Sequence, residues 1–274
     1  MTNVTLARPA VTADFLLTKE ARRFGEFCDA VRRDRYIGLC YGAPGVGKTL
    51  SARQYARWNA LEPLLREYYW IKPPARELLV NGAIVYTPAV TNAPTSIERQ
   101  VRLLSQSMDW ALEDVLFAEG ASPDAPPLPR RTELVLVDEA DRLKMPGLEQ
   151  LRDIYDRRDI GLVLIGMPGI EKRLSRYPQL YSRVGFVHHY RTLSVEEMRF
   201  ILAHKWEQLG LALNPDDYTD GEAIGAIARI TGGNFRLIQR LFAQIERILQ
   251  INELRLITKE VVEAARANLV IGTF

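Results

Sequence analysis

Gly42, Ala43, Pro44, Gly45, Val46, Gly47, Lys48 and Thr49 follow one another with the spacing of a phosphate-binding loop. The glycines let backbone N–H groups curl inward around an anion, and the lysine stands where an ammonium reaches the terminal phosphates of a nucleotide. The hydroxyl of Thr49 can enter the shell of a Mg²⁺ ion carried by those phosphates. The run therefore predicts a cofactor pair, ATP and Mg²⁺. With glycine near 7% of average usage, a chance match in a chain of this length has odds of roughly one in a hundred.

Two further groups of residues complete the chemistry. Asp138 and Glu139 close the apolar run that begins at Leu134. At the carboxyl end of a strand beside the loop, the first carboxylate would hold the metal shell and the second would polarise a water for in-line attack on the γ-phosphate. Farther on, Thr231 to Arg236 opens a segment whose apolar residues, Leu237, Ile238, Leu241, Phe242, Ile245 and Leu249, recur at helical spacing. Asn234 suits an N-cap there, which leaves Arg236 in the first turn, turned from the apolar face toward a phosphate.

These residues need elements to place them. Tyr36–Tyr41 reads as a buried strand before the loop, and Leu50–Trp58 as a helix after it. Helical spacing also marks 18–33, 97–117 and 146–157, while 83–87, 133–139, 161–166 and 185–190 read as strands. Pro63, Pro73 and Pro74 are expected to interrupt any regular element over 60–82. Residues 120–131, with four prolines, read as a surface loop. The continuous apolar strands imply a parallel sheet covered on both faces by helices. After Thr192 only helices are predicted, starting with the capping box Ser194 to Glu197. The organisation expected is a lead-in over 1–17, a three-layer αβα core over 18–192 and a small helical lid with a tail over 193–274.

Composition sets weaker bounds. The chain has 274 residues, 47% hydrophobic and 26% charged, with a formal net charge of +2, so its overall charge demands no nucleic acid. Between Arg142 and Arg191, however, ten Lys/Arg stand against five Asp/Glu, enough for a basic face or an ordinary solvated surface. Cys28 and Cys40 have neither the number nor the spacing of a disulfide framework or structural zinc site. No stretch approaches the length of a membrane span, and a cytoplasmic location is expected.

Together the phosphate loop, the Asp138–Glu139 pair and the Gly-Gly-Asn-Phe-Arg236 segment resemble the AAA+ ATPases over about residues 18–267. Leu134–Leu143, Val163–Gly169 and Gln179–Gly185 are similar to the DNA-transposition regulators of the MuB, TnsC and TniB group. That resemblance implies an oligomer, ring or helical filament, that binds duplex DNA without sequence specificity. It also implies a transposase partner, and leaves room for a target-selection protein. It makes Arg183 the cation that completes a neighbouring subunit's site, with Arg176 competing for the role. It places DNA-backbone contacts at Arg99 and Arg102, and with similar standing at Arg130 and Arg131; a solvated face accounts for each arginine singly as well. A helicase loader or a secretion- or signalling-associated ATPase is the alternative.

One position departs from the family pattern. Where AAA+ proteins place a polar residue after the fourth strand, this chain has Met167, whose thioether cannot orient a water strongly. Slow or partner-stimulated hydrolysis is the expectation. His188 and His189 read as strand residues without a metal partner, and the cluster Tyr68, Tyr69 and Trp70 as packing.

Overall fold

The computed structural model describes residues 15–66, 73–119 and 127–269. Most of the expected lead-in, the cluster Tyr68, Tyr69 and Trp70, residues 120–126 of the proline-rich loop and the last five residues lie outside them.

Five strands, β1 (Ile37–Tyr41), β2 (Ala83–Tyr86), β3 (Leu134–Val137), β4 (Gly161–Gly166) and β5 (Val184–His189), form one parallel sheet in the order β2-β3-β4-β1-β5. The three central strands bury almost every residue, as their unbroken apolar sequences require of a sheet covered on both faces. Helix α1 (Lys19–Asp34), capped by the Thr18 side chain, lies across β4, β1 and β5 with Phe24, Phe27 and Val31 inward. β5 is an edge strand and alternates half-buried with exposed residues, leaving Val187 open to solvent.

Helix α2 (Lys48–Tyr55) leaves the phosphate loop, and α3 (Trp58–Arg66) follows immediately. Here the structure corrects the expectation for Pro63, which sits inside α3 rather than ending it. A proline there removes one intrahelical hydrogen bond. Trp58, Leu61 and Leu65 are fully buried on the same helix, and their packing outweighs that loss. Helix α4 (Pro94–Glu119) starts earlier than its apolar spacing indicates, because Pro94 stands at its first position, where no N–H is needed. α5 (Met145–Arg157) packs beside it. Two short helices that the apolar pattern did not mark, α6 (Ile170–Leu174) and α7 (Pro178–Tyr181), join β4 to β5.

The remaining helices are α8 (Val195–Gln208), α9 (Tyr218–Thr231), α10 (Phe235–Ile251) and α11 (Lys259–Ala267). Each begins at a side chain that accepts a hydrogen bond from its first turn: Ser194, Asp217, Asn234 and Thr258. Buried residues from Met198 to Ala265 form a hydrophobic cluster of their own, separate from the one around the sheet. Trp206 anchors it, 1% exposed and edge-on to Phe242 at 5.3 Å between ring centroids. Trp206→Ala is expected to cost about 3–5 kcal/mol. Hydrogen exchange should show amides of α8–α11 losing protection while those of β1 and β4 keep theirs.

Candidate nucleotide-binding site

The phosphate loop leaves the end of β1, the Asp138–Glu139 pair leaves the end of β3, and β4 lies between them. The carboxyl ends of these neighbours form one wall of a cleft of about 530 Å³, and the first turn of α10 forms another. Pro44, Lys48, Thr49, Asp138, Glu139, Met167 and Arg236 all line it, so distant parts of the chain meet at one site.

Lys48 is buried at the start of α2, and its Nζ donates to the carbonyls of Gly42 at 2.6 Å and Ala43 at 2.8 Å. Burial lowers its pKa from the ordinary value, opposed by the nearby negative charges of Asp138 and Asp141 and assisted by the positive charge of Arg236. The loop's carbonyls thus hold the ammonium that triphosphate oxygens would engage.

The loop is also shaped by the helical part. Gly45 has φ +81°, and a Cβ there would lie 2.7 Å from Asn234 Oδ1 and 2.8 Å from Arg236 Cβ. Only glycine allows both the left-handed backbone and this approach. Two hydrogen bonds hold the contact: Asn234 Nδ2 donates to Pro44 O at 2.8 Å, and the Arg236 N–H to Gly45 O at 3.0 Å. Asn234 simultaneously caps α10 by accepting from the Leu237 N–H. Its cap role is legible from sequence type, but its bond to a loop 190 residues earlier is not.

Asp138 is buried, and its Oδ1 accepts from the Glu139 N–H at 3.0 Å. Glu139 has φ +52°, beginning a tight turn over Ala140–Arg142. Its carboxylate forms an ion pair with Arg142, whose Nη1 also donates to Pro88 O at 2.9 Å beyond the end of β2. Asp141, in the same turn, accepts the Met167 N–H. Sequence reasoning missed both Asp141 and Arg142; the available signal was a third acid two residues after Glu139. Beside the cleft, Phe15, Leu16, Val46, Leu50 and Phe235 line a small apolar cavity suited to a flat heterocycle.

Other predicted residues stand away from this cleft. Arg183 forms a bidentate pair with Asp156 at 2.6 and 2.9 Å, whereas Arg176 is exposed and has no side-chain ion pair among the described residues. Arg99 and Arg102 are exposed on α4, and Arg102 shares a groove with Arg157 and Arg158. Arg130 is exposed, and Arg131 pairs with Asp159 at 2.9 Å at the end of the sheet opposite the phosphate loop. His188 lies 3.2 Å from Glu20 among Phe24, Phe27 and Tyr190, and His189 stacks on Tyr41.

The sequence pattern of the AAA domain family matches residues 31–174, more than half of the chain. This chain belongs to that family. A potential ATP-binding protein of Staphylococcus aureus is 47% identical, over 94% of this chain and 97% of that protein. The Mu-like prophage FluMu DNA transposition protein B of Haemophilus influenzae is 25% identical, over 84% of this chain and 71% of its own length. Among solved structures, the Aeropyrum pernix ORC1 protein in complex with DNA shares the fold, with a TM-score of 0.58 and 20% identity over 94% of this chain and 67% of that one.

The protein is an ATPase that uses ATP with Mg²⁺. Thr49 and Asp138 offer hard oxygen donors at the cleft, a set that fits Mg²⁺. Among the described residues no cluster of three His, Cys, Asp or Glu could hold a metal by itself. When bound, Mg²⁺ supplies charge neutralisation at the phosphates. Gly45→Ala should weaken ATP binding by at least tenfold, because its Cβ must displace Asn234 or Arg236; titration with a fluorescent ATP analogue checks this.

Proposed function

We propose that this ATPase is a DNA-binding regulator of DNA transposition that assembles as a homo-oligomer on duplex DNA and recruits or activates a transposase. The observation that carries this reading is the likeness to transposition protein B, which extends over most of the chain. The protein acts in the cytoplasm at DNA; none of the described helices is long and apolar enough to cross a membrane.

In this reading residues 18–192 are the ATPase core and 193–274 the lid and tail. The loop Gly42–Thr49 grips the phosphates, Lys48 and Arg236 neutralise the γ-phosphate, and Thr49 and Asp138 hold Mg²⁺. Glu139 accepts the proton of the attacking water. Its pairing with Arg142 supports slow basal hydrolysis, because a base engaged by a guanidinium is poorly placed to take a proton.

The segment from α6 to β5 supplies a cation to the neighbouring subunit. Arg176 has no ion pair among the described residues, while Arg183 must first leave Asp156. DNA lies along α4, where the exposed Arg99 and Arg102 present positive charge to phosphates, while the adjoining Arg157 is paired with Glu98 and Asp153. Arg130 and Arg131 serve as outlying backbone contacts.

Lys48→Ala is expected to abolish ATP-dependent assembly on DNA, viewed by electron microscopy with a nonhydrolysable analogue. Glu139→Gln should keep assembly while turnover falls on the order of 100-fold or more. A protein that binds ATP yet remains monomeric with duplex DNA at low salt would refute the proposal. Separately, replacing both Arg99 and Arg102 by Ala should weaken binding to all duplex sequences alike and reduce the salt slope by about 2.

A further inference from the structure

The end of β4 is the middle of the cleft's strand wall, and its first residue beyond the strand, Met167, offers no strong side-chain hydrogen bond. A polar group nevertheless stands there. Asp141 Oδ2 accepts the Met167 N–H at 2.7 Å, which brings a carboxylate from the turn after β3 across to the tip of β4. Gly166 makes room for it: a Cβ at that position would lie 2.7 Å from Asp141 Oδ2 and 3.1 Å from its Cγ.

The turn that carries Asp141 is itself pinned. Arg173, from α6, donates through Nη1 to Asp141 O at 3.0 Å and through Nη2 to Leu143 O. Asp141 lines the same cleft as Lys48, Thr49 and Glu139, and Oδ1 has no hydrogen-bond partner among the described residues. One carboxylate oxygen is therefore spent on locking the β4 tip, and the other remains to accept from water.

We propose that Asp141 holds the attacking water in ATP hydrolysis: it joins the turn bearing Glu139 to the tip of β4 and supplies the hydrogen-bond acceptor that Met167 lacks. In the step it serves, the water oxygen bonds to the γ-phosphorus while the bond to the β–γ bridging oxygen breaks, its electron pair leaving with ADP. The water's proton passes to the Glu139 carboxylate. Two acceptors, Glu139 and Asp141, fix the water more narrowly than Glu139 alone, and a displacement of about 1 Å costs on the order of 100-fold in rate. This proposal rests on the ATPase activity and not on transposition, so its outcome is independent of any result with DNA.

The test is steady-state ATP hydrolysis by the full chain, with ATP affinity and Mg²⁺ dependence measured alongside. Asp141→Ala should lower kcat by 10- to 100-fold while the affinity for ATP and the Mg²⁺ requirement stay within twofold. Asp141→Asn, whose amide oxygen still accepts the Met167 N–H, should fall between the two. Adding Met167→Asn to Asp141→Ala should restore part of the lost rate, since an acceptor returns to the same strand tip. An unchanged kcat in Asp141→Ala would overturn the proposal. So would a raised Mg²⁺ requirement, which would make Asp141 a metal ligand. A loss of ATP affinity and thermal stability matching the loss of rate, with no rescue by Met167→Asn, would reduce Asp141 to a structural part of the turn.

Discussion

The strand order is the constraint on which the site depends. β1 and β3 are separated by β4, so the chain leaving β1 and the chain leaving β3 diverge around the tip of β4 and open a crevice between them. The phosphate loop fills one side of that crevice and Asp138 with Glu139 the other. The sheet can hold this arrangement because its central strands are apolar on both faces and packed under helices. A buried sheet moves little, and a site built on strand ends inherits that rigidity.

The helical part closes the cleft through a small number of polar contacts. Asn234 and the backbone of Arg236 bond the carbonyls of Pro44 and Gly45, so α10 touches the peptide that must cradle phosphate. Its N-terminus brings the positive end of the helix dipole and the Arg236 side chain to the same place. The second hydrophobic cluster behind α10 gives this end a firm backing, while the sheet has its own core. The two cores meet at the phosphate loop and again where α1 meets α8, through the Glu20 N–H bond to Glu197 and the Lys19–Glu196 ion pair.

Much of this was legible before any fold was drawn. The phosphate loop, the paired carboxylates and the Arg236 segment were readable because their chemistry demands particular residue types at close spacing. The strands were readable because burial on both faces leaves continuous apolar runs, and the helices of the second part because capping residues precede their apolar periodicity. Prolines were less informative. Pro63 sits within α3 and Pro94 opens α4, since the packing of neighbouring residues and the position in the helix decide whether a missing N–H matters. The pairing of Arg183 with Asp156, 27 residues apart, had no sequence signal beyond opposite charge, whereas Glu139 and Arg142 pair within one turn at three-residue spacing.

Residue type and local spacing by themselves determined that the chain is an ATPase and that a parallel αβα sheet carries its glycine-rich loop. Those properties are local: a glycine-rich turn, a lysine and a following helix are contiguous, and an apolar run reports its own burial. Tertiary structure alone decided that Asn234 reaches Pro44, that Arg183 engages Asp156 and that Asp141 occupies the space beside Gly166. Each of these joins residues from different elements at hydrogen-bond or ion-pair distance. Only the order and register of the strands, together with the seating of α10, set such distances.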